Sequence, residues 1–140
     1  MPACLRYVSL QLLLLLATAA YGQRLFPQNE GERIRYQATI EMERGYVSGV
    51  CVAVCDKDGV RGCLFNEFGI TALDFSYDPV KDRVRLHGLV AMLDHWYIRR
   101  TLRRDLRSLI HCLQQGHTTY ENTRRHISYT FTPLTDDSEQ

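Results

Sequence analysis

Arg33-Ile34-Arg35-Tyr36-Gln37-Ala38-Thr39-Ile40-Glu41-Met42-Glu43 alternates without interruption. Ile34, Tyr36, Ala38, Ile40 and Met42 fall on one face, and Arg33, Arg35, Gln37, Thr39, Glu41 and Glu43 on the other. A period of two with one polar side marks a strand that buries one face and wets the other. The fold therefore starts from an antiparallel sheet with a single covered side. Gly45 breaks the run, and Tyr46 to Cys55 is apolar on both faces, with Val50, Val52 and Val54 set against Val47, Cys51, Ala53 and Cys55. That pattern predicts a central strand covered on both sides. Asp56-Lys57-Asp58-Gly59 is a tight-turn sequence, because Gly59 can take positive φ, and a return strand follows from Val60 to about Glu67.

Hairpin register decides the cysteine geometry. A two-residue Asp58-Gly59 turn sets Cys63 opposite Val54, away from Cys55; a three-residue loop ending in Gly59 sets it opposite Ala53, on the cysteine face. Only the second register makes a disulfide of Cys63 with Cys51 or Cys55 plausible, and the other reading is that these thiols are small buried hydrophobes. Gly69 precedes a fourth strand, Ile70 to Tyr77, in which Thr71, Leu73, Phe75 and Tyr77 share a face. Asp78-Pro79-Val80-Lys81-Asp82 is a turn, and Arg83 to His87 alternates basic and apolar residues as an outer strand. Five antiparallel strands in meander order are expected.

After Gly88 the period changes. Leu89, Met92, Leu93 and Trp96 fall at helical spacing, and Leu102, Leu106, Leu109, Ile110 and Leu113 continue the stripe to a C-cap at Gly116. One helical region, bent near His95 to Ile98, is expected to cover the sheet. Thr118 to Glu121 and Arg125 to Thr132 make a final hairpin, ended by Pro133. The fold class is α+β: a curved antiparallel sheet, half-barrel-like, under one helical region.

Opposite the leucines, Arg100, Arg103, Arg104, Arg107 and His111 occupy one arc of the helix. Asp105 is the only acid in the helix interior, so local neutralisation is weak. Such an arc can dock an acidic partner or lie on anionic lipid, or it can be a solvated face. Trp96, the only tryptophan, stands with Tyr97 where sheet passes to helix. The pair either anchors the helix on the core or, with Phe65, Phe68, Leu73 and Phe75, lines a ligand cavity.

The first 22 residues read as a secretory signal. Arg6 gives the positive start, Val8 to Ala20 the short apolar core, and Ala20-Tyr21-Gly22 small residues at the cleavage positions. The run is too short to span a bilayer. Residues 23–134 are then one domain and 135–140 a flexible acidic tail. Of 17 Lys+Arg against 16 Asp+Glu, one is Arg6 in the leader, so the exported chain is neutral. Bulk charge does not suggest a nucleic-acid partner. Four cysteines remain beyond the leader. Cys51-x3-Cys55-x7-Cys63 lacks zinc-site spacing, and no pair of the five histidines is set like a metal ligand pair. No serine lies in a Gly-x-Ser-x-Gly context. Glu67 and Asp74 are the one candidate carboxylate pair, with pairing to arginine as the ordinary alternative. No catalytic residue, cofactor or metal is expected.

Asn66-Glu67-Phe68-Gly69-Ile70-Thr71-Ala72-Leu73-Asp74-Phe75, then Trp96-Tyr97-Ile98-Arg99-Arg100 and a Tyr-rich last strand, resembles a family of small uncharacterised exported proteins of Gram-negative bacteria across nearly the whole mature chain. In its element order the chain is also remotely similar to the lipoprotein-localisation carriers, whose half-open barrel and helical lid enclose an apolar cavity. These resemblances imply a protein of the periplasm or outer membrane. The expected function is non-enzymatic binding of an apolar or amphiphilic ligand, such as a lipid or lipoprotein acyl chain. The alternative is a protein-interaction or scaffold domain with a filled core and a basic docking helix.

Overall fold

The computed structural model describes residues 24–135, so the leader (1–22) and residues 136–140 of the acidic tail lie outside the described residues. Seven strands and one helix follow in order: β1 Arg33–Met42, β2 Gly45–Asp56, β3 Gly59–Asn66, β4 Thr71–Asp78, β5 Arg83–Leu89, α1 Trp96–Gln114, β6 Thr119–Asn122 and β7 Ile127–Pro133. They form one antiparallel sheet in the order β5-β4-β3-β2-β1-β7-β6, curled into a half-barrel. The five-strand meander and the α+β class are as the alternation predicts. The last hairpin extends the sheet beyond β1, where β7 pairs from Tyr36↔Pro133 to Glu41↔Ser128.

The inner face is the one the period of two selects. Tyr36, Ala38 and Ile40 of β1 are buried, as are Cys51, Ala53 and Cys55 of β2, Leu64 of β3, and Leu73, Phe75 and Tyr77 of β4. Against them α1 turns Leu102, Leu106, Leu109, Ile110 and Leu113, all nearly inaccessible. Gly62 is required here by close approach: it faces Phe75 on β4, and a Cβ at this position would lie 2.3 Å from the ring. Beneath the helix the space bounded by Phe26, Tyr36, Phe75, Leu106 and Phe131 amounts to about 10 Å³. The interior is filled.

Part of that filling is invisible to periodicity. Residues 24–32 form a strap along one end of the sheet. Gly31 N–H donates to the Cys55 carbonyl, and Cys55 N–H to that of Glu32, both at 2.9 Å. Leu25 N–H donates to the Leu113 carbonyl, and the Tyr36 hydroxyl to that of Leu25. The strap thereby drops Phe26 into the core, edge-on to Tyr77 at 5.9 Å.

Three expectations are corrected. The β2–β3 loop is Lys57-Asp58, between Asp56 and a Gly59 at φ 133°, with the Asp56 carboxylate accepting from Asp58 N–H at 2.8 Å. This register sets Cys63 opposite Val52 on the outer face, while Cys51 and Cys55 point into the core. Cys51, Cys55, Cys63 and Cys112 are all free thiols, so the sheet itself separates the cysteines proposed for a disulfide. Second, β2 is central, yet no element among the described residues covers its outer face: Val50 and Val52 are half-buried and Val54 is exposed. Third, the helix starts at Trp96 and not near Leu89. Leu89 ends β5, Ala91–Leu93 is a 3₁₀ turn that buries only Leu93, and Met92 is exposed. β7 ends at Pro133, the last residue in register with β1, as expected, and Leu134 N–H adds one bond to the Arg35 carbonyl at 2.8 Å. The C-terminal end of α1 is as expected. Gly116 at φ 90° lets its own N–H reach the Leu113 carbonyl and His117 N–H that of Cys112, a Schellman closure.

A close-packed core makes truncation costly. Leu106→Ala should lose about 2–5 kcal/mol of unfolding free energy, read from urea denaturation followed by far-UV circular dichroism.

Candidate functional site

The helix has two flanks. One faces the β6–β7 hairpin and the other the β4–β5 turn and β5, and a carboxyl secures each.

On the hairpin flank stands Asp105, the one charged side chain buried among the described residues. Its position follows from spacing, since 102, 105, 106 and 109 make one helical stripe. The Tyr129 hydroxyl donates to its Oδ2 at 2.6 Å, and the Asn122 amide donates to both oxygens at 3.0 and 3.1 Å. A buried carboxyl held by hydrogen bonds from two strands costs far less than one left bare. Burial, then the bond to Asp105, push the Tyr129 hydroxyl well above the usual tyrosine range.

On the other flank Asp82, in the left-handed region at φ 51°, gathers three donors. The Tyr77 hydroxyl approaches at 2.6 Å, Arg107 Nε at 2.9 Å and His111 Nε2 at 2.7 Å. The Tyr77 bond, followed by that of His111, holds the Asp82 carboxyl down to about 2. Arg107 is therefore already committed to an ion pair. Arg100, Arg103 and Arg104 are exposed and make no ion pair among the described residues.

Between this flank and the sheet edge lies an open groove of about 610 Å³. Arg100, Arg103, Arg104 and Arg107 form its helical wall; Lys81, Arg83 and Arg85 come from the β4–β5 turn and β5, and Asp82 is its one acid. β5 ends the sheet and pairs with β4 alone. The basic arc read from the sequence is thus one wall of a two-walled cationic groove. Arg83 and Arg85 alternate with buried Val84, so they stand on the outer side of β5 with Ser76 and His87 and border the groove at its rim; that this rim lies beside the helix depends on a sheet curl that local pattern does not contain.

The six cavity candidates do not surround one cavity. Leu73 and Phe75 are packed in the core, Phe65 lies on the outer face and Phe68 in the β3–β4 turn. Trp96 and Tyr97 open the helix and are exposed at 76% and 48%, which corrects the expectation that they anchor it on the core. They stand beside a second cleft of about 560 Å³ under the hairpin. Glu67 is exposed in a turn, and Asp74 pairs with Arg61 at 3.2 Å, so no two-carboxylate site forms. Sequence reading missed Ser76 Oγ and His87 Nε2, 2.8 Å apart on the outer face. The β4–β5 register brings them together. Among the described residues no carboxylate bonds the other His87 ring nitrogen, so the pair lacks the orienting third group of a nucleophile triad. No helix among the described residues is long and apolar enough to cross a membrane.

No family model, curated protein or solved structure matches the chain. Its function is argued from its own residues.

The Asp82 clamp gives a pH dependence of known sign. A carboxyl held below its ordinary 3.8 stabilises the fold fully above that value and loses the effect as pH falls through about 2. Asn tolerates positive φ, so Asp82→Asn removes the charge without straining the turn. Its melting temperature should lie below that of the wild type at neutral pH, and the gap should close on acidification through this window. The check is thermal denaturation at a series of pH values.

Proposed function

We propose that the protein is an exported, non-enzymatic docking domain that binds an extended acidic segment of a partner protein in the groove between β5 and α1. The observation that carries this reading is the convergence of cations from two elements on an unpaired sheet edge. A free edge offers backbone donors and acceptors to an added strand. The flanking arginines favour carboxylates on that strand and speed its capture. Asp82, the one acid in the groove, is already occupied by Tyr77, Arg107 and His111. Export, to the periplasm or the outer-membrane face, rests on residues 1–22. An acyl-chain ligand draws no support from an interior with about 10 Å³ free beneath the helix.

Fluorescence anisotropy with a labelled acidic peptide, alongside vesicles containing phosphatidylglycerol, tests the reading. Peptide binding should weaken steadily with added salt. Replacing Arg83, Arg85 and Arg103 by Gln should weaken it about tenfold, with little change in melting temperature because exposed charges contribute little to folding. Vesicle binding without peptide binding would move the function to a membrane surface, and binding of neither would remove it.

A further inference from the structure

The second cleft carries an inference of its own, resting on side chains of which only Arg100 and Arg104 are shared with the groove beside β5. Its wall is made by Trp96 and Tyr97 at the start of α1, its floor includes Thr101 and Asn122, and Arg100, Arg104, Arg124 and Arg125 stand around it. The volume, about 560 Å³, suits a ligand of one or a few rings. Trp96 is 76% exposed, and its indole meets Tyr97 edge-on at 5.9 Å and 89°. Tyr97 is also stacked by His95 at 5.6 Å and 12°. An exposed indole and phenol at right angles form a corner, and no parallel slot lies between them.

We propose that this cleft binds an acidic saccharide. A corner of two perpendicular rings fits a puckered ring that has C–H groups on one side and an edge to turn to the other wall. A flat nucleobase stacks on a single ring face and so leaves the second wall of the corner unused. The floor argues the same way. The Asn122 amide nitrogen is spent on both oxygens of Asp105, and its oxygen accepts from Arg125 N–H at 3.0 Å. With its nitrogen turned to Asp105 and its oxygen to Arg125, Asn122 keeps at most one N–H and one acceptor lone pair for a ligand, a poor reader of a base edge. What the cleft offers is stacking surface and charge. Four guanidiniums, two from the helix and two from the hairpin turn, suit carboxylate or sulfate groups distributed along a sugar chain, and Arg binds such groups in bidentate fashion.

Trp96 is the only tryptophan of the chain, so its emission reports the cleft directly. Titration with hexagalacturonate should change that emission saturably, while maltohexaose and AMP leave it unchanged at the same concentration. By calorimetry, Arg124→Gln with Arg125→Gln should weaken hexagalacturonate binding about tenfold, and Trp96→Ala should abolish it. Circular dichroism of each variant should remain that of the wild type, because all three residues are exposed. The Arg83, Arg85 and Arg103 substitutions should leave this titration untouched, so the two sites stand or fall separately. An equal response to AMP, no response to hexagalacturonate, or binding indifferent to Arg124 and Arg125 would overturn the proposal.

Discussion

One buried carboxyl joins the parts of this fold that the meander does not. Strands β1 to β5 are consecutive hairpins, and each is registered by its neighbour in sequence. The helix and the last hairpin have no such continuity. Asp105 supplies it by accepting from Asn122 on β6 and Tyr129 on β7. With these bonds made, no buried side-chain nitrogen or oxygen among the described residues lacks a partner. An apolar residue at position 105 would pack against the hairpin without fixing its rotation. Hydrogen bonds to two strands define where the helix axis lies, and the positions of Trp96, Arg100 and Arg104 follow from that axis.

Closure of the core and opening of the surface are two results of the same packing. Phe26 stops one end, Phe75 fills the space Gly62 leaves, and the leucines of α1 occupy the trough of the half-barrel. With the interior full, concavity survives only at the surface, and the two grooves along the flanks of the helix are both rich in arginine. Arg100 and Arg104 line the groove beside β5 and also the cleft beneath the hairpin, so they form a ridge between the two. The formal net charge of the chain, +1 at pH 7, hides this concentration, which arises from placement and not from composition.

Strand alternation made the sheet legible almost residue by residue, including β5 as an edge and Gly116 as the helix cap. The failures have physical causes. Tyr46 to Cys55 is apolar on both sides because its inner face meets the helix while its outer face is only half-screened by neighbouring side chains, a distinction that pattern cannot make. Of the two hairpin loop lengths open to the sequence, the two-residue loop Lys57-Asp58 keeps Cys63 away from Cys51 and Cys55, and only a loop one residue longer turns it to their face. Leu89 and Met92 share helical spacing with Leu93 by coincidence, in a stretch that is first strand and then 3₁₀ turn. The arginine arc was readable, but the wall opposite it required the sheet's curl. Asp105 lay in plain view between Leu102 and Leu106. Read as a weak counter-charge, it is instead the polar centre of the core.

A double-mutant cycle on Asp105→Ala and Tyr129→Phe, measured by urea unfolding, addresses this role most directly. If the carboxyl and the hydroxyl act as one unit, the double variant should be less destabilised than the sum of the two single variants, with a coupling energy of about 0.5–3 kcal/mol. Simple additivity, within about 0.5 kcal/mol, would contradict the account.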